Sequence, residues 1–154
     1  MKLKIFILIL LLIPMLSFGQ HWVTKKSVTS LAFDIGHVVL DATGDALMDS
    51  GSKEWGHAFN AASVGLLVSQ PFIIDFERSD WKWKLPAYIC TRFALFNLTY
   101  NLINPNIDNI YYFGNTEITD KVFGKMMSGK SQLLPKGIAF TFAVSITLRY
   151  GNNF

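Results

Sequence analysis

Asp34, His37, Asp41, Asp45 and Asp49 recur at spacings of three and four residues. On a helix of about 3.6 residues per turn that spacing gathers them on one face, with Ser27 and Ser30 above them. An imidazole one turn from a carboxylate can share a metal ion with it. Asp34 and His37 stand at i, i+3, and His37 and Asp41 at i, i+4. His57, from the next segment, would complete a set of Asp34, His37, Asp41 and His57 around a divalent metal. Metal-assisted hydrolysis is the chemistry such a set would supply. The same stripe also reads as the solvated face of an amphipathic helix, or as the polar interior of a bundle. Like charges four apart destabilise a helix by about 0.2–0.5 kcal/mol per pair, and no Lys or Arg interleaves with Asp41, Asp45 and Asp49. Something must compensate: water, a bound cation, His57, or Arg92, which stands midway along an apolar segment. Asn97, Asn101 and Asn104 align on one face and are expected to hydrogen-bond between helices. The candidate polar or ion-binding cluster is Asp34, His37, Asp41, Asp45, His57, Arg92, Asn97 and Asn101.

The elements that must position these residues are helical by periodicity. Residues 27–49 form a long helix that stops at Asp49-Ser50-Gly51-Ser52. Residues 54–74 form a second, apolar nearly all round and kinked or ended at Pro71. Residues 75–84 read as a charged connector, whose Trp81-Lys82-Trp83-Lys84 suits a membrane interface or an ordinary surface loop. Residues 85–104 form a third helix with Pro86 near its first turn. Residues 110–115 read as an aromatic turn, and Thr116 as the cap of a short helix to about Met127. In the run from Ile138 to Tyr150, apolar residues alternate with Thr, Ala, Ser and Arg, so helix and strand both stay open. The expected fold is an all-α bundle of about four main helices, embedded in a membrane, with a C-terminal segment that is helical or β. With all four segments crossing, Lys121, Lys125, Lys130 and Lys136 fall in one cytoplasmic loop, as the positive-inside tendency favours.

Residues 1–19 have the layout of a secretory signal peptide: Lys2 and Lys4, an apolar run from Ile5 to Leu16, then Ser17-Phe18-Gly19. The expected division is a signal peptide over 1–19 and one helical domain over 20–154. The net charge of +3 falls to +1 without Lys2 and Lys4, so nucleic acid is not an expected partner. Charged residues make up only 16% of the chain, against about 25% in typical globular proteins, which favours lipid contact. The single cysteine, Cys90, excludes an internal disulfide framework and reads as a small buried hydrophobe. Gly124, Gly129, Lys130 and Ser131 match the phosphate-binding pattern G-x-x-x-x-G-K-[ST]. That chemistry needs a strand before the loop and a helix after it, and Pro135 stands where the helix should run. The match reads as coincidental and no nucleotide is expected.

Arg92-Phe93-Ala94-Leu95-Phe96-Asn97 with Tyr100-Asn101, then Tyr112-Phe113-Gly114-Asn115-Thr116 and Asp120-Lys121, resembles small uncharacterised bacterial helical envelope or membrane proteins. The resemblance covers roughly residues 34–125 and carries neither an activity nor a site. Three functions follow from the residues. The first is a small integral envelope protein with a structural, binding or accessory role. The second is a metal-dependent hydrolase of an envelope substrate. The third is a soluble periplasmic bundle that binds a lipid or partner helix. Location in the inner membrane or periplasm of a bacterium is expected ahead of the outer membrane, because the regular series of alternating segments that builds a barrel is missing from the sequence.

Overall fold

The computed structural model describes residues 23–74, 80–110, 125 and 133–150. Four helices hold these residues together: α1 (Lys25–Asp49), α2 (Lys53–Ile74), α3 (Trp81–Ile103) and α4 (Leu133–Tyr150). No strand occurs among the described residues. The signal-peptide segment, the aromatic turn after Ile110, and all but Lys125 of both the short helix from Thr116 and the residue 124–131 motif lie outside them.

α1 starts two residues earlier than its periodicity suggests because Thr24 caps it. Ser27 N–H donates to Thr24 Oγ1 at 3.1 Å, and Thr24 N–H donates back to Ser27 Oγ at 3.0 Å. This reciprocal box satisfies two N-terminal donors that have no intrahelical acceptor. α1 ends where Gly51 takes a φ of +94°, a left-handed conformation cheap only for glycine. Ser52 N–H then donates to Leu47 O at 2.8 Å, closing the turn into α2.

The start of α3 departs from the expectation as well. α3 begins at Trp81, so the Trp-Lys-Trp-Lys segment is its first turn and not part of the connector. Pro86 consequently lies inside the helix, and so does Pro71 in α2, which runs on to Ile74. The run from Ile138 to Tyr150 is helical, which excludes its strand reading. Its bulky alternation misleads, because side chains on both faces of α4 are apolar and leave a period of two by chance. Lys136 is a buried residue of α4, not part of a basic loop; its Nζ lies 5.9 Å from the centre of the Phe93 ring.

α1 packs against both α2 and α3, and α3 carries α4. The pairs Asp34–Gln70 and Asp45–Asn60 run in opposite directions along α1 and α2, so these helices are antiparallel. The pairs Asp34–Lys84 and Asp41–Arg92 advance together, so α1 and α3 are parallel. Trp83–Tyr150 and Phe93–Lys136 make α4 antiparallel to α3.

Burial is inverted relative to an ordinary soluble domain. The buried apolar residues are mostly small: Ala42, Ala46, Ala87, Ala94 and Ala143, with Val38, Ile74, Ile146 and Leu148. The buried set also includes Ser27, Ser30, Asp34, His37, Ser63, Gln70, Lys84 and Thr91. The large apolar side chains lie outside. Phe72 is 85% exposed, and Trp55, Val64, Val68, Leu102 and Phe142 are more than half exposed.

Candidate functional site: a polar ladder between two parallel helices

The side chains able to do chemistry lie along the seam between α1 and α3, with α2 closing one side. At the first rung, Lys84 Nζ lies 2.6 Å from both carboxylate oxygens of Asp34 and 2.6 Å from Ser30 Oγ. Gln70 Nε2 donates to Asp34 Oδ1 at 3.1 Å. The side chains of Lys84 and Asp34 are 4% and 1% exposed. Such a pair is tolerated in a core only because each charge is neutralised and its hydrogen-bonding capacity largely used.

His37 makes the second rung. Its Nδ1 lies 2.7 Å from Ser63 Oγ and 3.1 Å from Ser63 O, and its Nε2 lies 2.8 Å from the Tyr88 hydroxyl. One proton arrangement satisfies every atom. Nδ1–H donates to Ser63, the Ser63 hydroxyl donates to His37 O at 3.3 Å, and Tyr88 O–H donates to Nε2. Arg92, one turn further along α3, reaches Asp41 Oδ2 at 2.5 Å, the third rung. That pair is more open, with side chains 41% and 23% exposed. Asp45 accepts from Asn60 Nδ2 at 3.1 Å on the α2 side. At the far end the Tyr100 hydroxyl donates to Asp49 Oδ2.

The partners of α1 on α3 are thus Lys84, Tyr88, Arg92 and Tyr100, at sequence separations of 50, 51, 51 and 51 residues. A constant separation means that two parallel helices meet in fixed register, turn for turn. From Asp34 to Asp49 the ladder runs fifteen residues, or about 22 Å at 1.5 Å per residue.

Of the residues expected from sequence, Asp34, His37, Asp41, Asp45 and Arg92 lie on the ladder, with Arg92 facing Asp41. His57 does not: it is exposed on α2. Among the described residues no three His, Cys, Asp or Glu side chains converge to hold a metal ion. The carboxylate of Asp34 is engaged by Lys84 and both His37 nitrogens are bonded, so the Asp34, His37, Asp41 and His57 set is not assembled. Asn101 Nδ2 donates to Ile110 O at 3.1 Å and Asn104 Nδ2 to the Tyr100 hydroxyl at 3.0 Å. These bonds secure the end of α3. Asn97 is half-buried on the same helix. Cys90 is half-buried too, short of the full burial expected of it.

Sequence reasoning missed Lys84, Tyr88, Tyr100, Ser63, Gln70 and Asn60. A signal for the first three was present: Lys84, Tyr88, Arg92 and Tyr100 fall at multiples of four residues, the complement of the stripe on α1. Placing Lys84 in a connector hid it. Comparison with family models, curated proteins and solved structures finds no match for this chain.

Proposed function

We propose that this chain is a small integral protein of the cell envelope. Its helices stand in a membrane with their large apolar side chains toward lipid, and its role is structural, binding or accessory. The observation that carries this reading is the inverted burial: ion pairs, histidine and amides inside, phenylalanine, leucine, valine and tryptophan outside. A surface of that kind in water would be an aggregation hazard or a partner site, whereas ionisable groups inside a membrane protein face the bundle interior and pair with one another. α2 supports it further. Among the described residues it is the one helix long and apolar enough to cross a membrane, and only 17% of its apolar window is buried, unlike the core helix of a soluble protein. The ladder fits the same reading, since hydrogen bonds and ion pairs replace the hydrophobic effect as the specific contact between helices in lipid.

A carbonate wash of isolated membranes tests it. The chain should stay in the pellet and leave only with detergent. Release into the wash would mean a peripheral or soluble bundle, and the reading would be lost.

A further inference from the structure

At the end of the bundle where α1 and α3 begin and α4 stops, a groove of about 220 Å³ opens between α3 and α4. Trp83, Phe142, Ser145, Ile146, Arg149 and Tyr150 line it. The Trp83 and Tyr150 rings stack at 3.9 Å with 3° between their planes, forming a rigid aromatic wall. The Arg149 guanidinium lies 5.6 Å from the Tyr150 ring centre and is exposed at the mouth. Lys82, also exposed, has its Nζ 5.8 Å from the Trp83 ring centre. Among the described residues the exposed charged groups at this end, Lys25, Lys82 and Arg149, are all basic. The opposite end mixes Asp49, Lys53, Glu54 and Asp108.

From the groove an apolar track leads away along α4. Phe142, Ile138 and Leu134 follow at intervals of four residues, and each is more than half exposed. Arg149 to Leu134 spans about 22 Å of helix, longer than the roughly 15 Å of one bilayer leaflet. An exposed cation beside an aromatic wall, a serine one turn further along α4 and an apolar track beyond it match the parts of one molecule in order: phosphate, glycerol and acyl chain. We infer that this groove binds an anionic phospholipid, with its phosphate on Arg149 and Lys82, its glycerol region beside Ser145 and Trp83, and one acyl chain along Phe142, Ile138 and Leu134. Trp and Tyr at headgroup depth and a basic cluster beside them are the recurrent means of holding such a lipid. The source of the lipid rests on the membrane embedding proposed above.

Native mass spectrometry of the full chain in detergent, with dioleoyl phosphatidylglycerol, dioleoyl phosphatidylcholine or inorganic phosphate added, tests the inference. Wild type should retain phosphatidylglycerol about fivefold better than phosphatidylcholine, the preference one basic residue gives near an anionic surface. Arg149→Gln should erase most of that preference, and Arg149→Lys should keep a good part of it. Phe142→Ala should weaken retention of both lipids. Lys82→Gln gives an independent reading should Arg149→Gln fail to fold, and it should lower the preference in the same direction. Equal retention of the two lipids by wild type would overturn the inference. So would an unchanged preference in folded Arg149→Gln, or displacement of the lipid by inorganic phosphate alone, which would mark a free-anion site. The carbonate wash separates the two failures. A chain released by the wash fails the embedding, whereas a chain retained in the pellet without a lipid preference fails the groove only.

Discussion

Lys84 and Asp34 form the most consequential residue pair, because neither charge has solvent to fall back on. Removing one partner leaves the other buried and unpaired, a loss of about 3–5 kcal/mol, while removing both with apolar residues of similar volume is often neutral. Lys84→Met should therefore lower stability strongly, and Lys84→Met with Asp34→Leu should recover most of it. Thermal melts in mild detergent would measure both. A double mutant no better than the single would show that the two charges are not coupled. Arg92 and Asp41 offer a different comparison, since their pair is partly open. In water such a pair contributes about 0–1 kcal/mol. At the middle of a membrane helix an arginine carries a cost of about 2.5–3.5 kcal/mol, and its carboxylate partner matters correspondingly more. Asp41→Asn in lipid nanodiscs should cost more than about 1 kcal/mol, and a smaller loss would place the opening in water. The stripe on α1 was legible from spacing alone. Its principal partner was not, because a lysine next to two tryptophans has the composition of an interface loop. Only the start of α3 at Trp81 turns Lys84 inward.

At the scale of elements, α1 and α2 meet at unusually short range, and glycine permits it. A Cβ added to Gly56 would lie 2.3 Å from Met48 Cγ and 2.9 Å from the backbone oxygen of Gly44. The methionine can swing aside, but the backbone cannot. Gly56→Ala should force the helices apart at a cost of about 1–3 kcal/mol. Gly65 on the same helix has nothing within 4 Å of its added Cβ. Gly65→Ala should then be neutral or stabilising by up to about 1 kcal/mol, the intrinsic helix preference for alanine. Chemical denaturation of the two variants compares them directly, and equal effects would contradict the close contact. The lengths of α1 and α2 could be read from periodicity and from the Asp49-Ser50-Gly51-Ser52 stop, whose glycine does take the left-handed conformation. Which glycine lies at the crossing could not be read, since Gly44, Gly56 and Gly65 look alike without knowing which faces meet. The C-terminal run is ambiguous for a related reason. A helix with bulky apolar residues all round carries no 3.6-residue period, and the alternation of two left in its sequence reads equally as a strand.

For the molecule as a whole, the inverted burial makes a prediction about its outer surface. Val64 stands near the middle of α2 and is exposed. On a wet surface Val64→Lys should change stability by less than about 0.5 kcal/mol. Against lipid it should hinder insertion by about 2.5–3.5 kcal/mol. The fraction of Val64→Lys chain recovered in the carbonate pellet should fall well below that of wild type. Lys53→Gln, at the first residue of α2, should be recovered like wild type and serves as the tolerant control. Unchanged recovery of Val64→Lys would count against embedding.

The constant separation of 50 to 51 residues between partners gives the two parallel helices something close to a notched key. Slide α3 one turn toward the end of α1, and Lys84 would meet His37, Tyr88 would meet Asp41 and Arg92 would meet Asp45. Asp34 would then be stranded in the interior with no cation. Slide it one turn the other way, and Lys84 would lose Asp34 and keep only Ser30, Arg92 would meet His37, and Asp41 would face the ring of Phe96. Each misalignment strands a carboxylate, so the order of charges along the seam rejects neighbouring alignments that greasy packing by itself would accept. Small residues and uniform apolar surfaces slip easily past one another; a lysine and an arginine eight residues apart, matched to aspartates seven apart, do not.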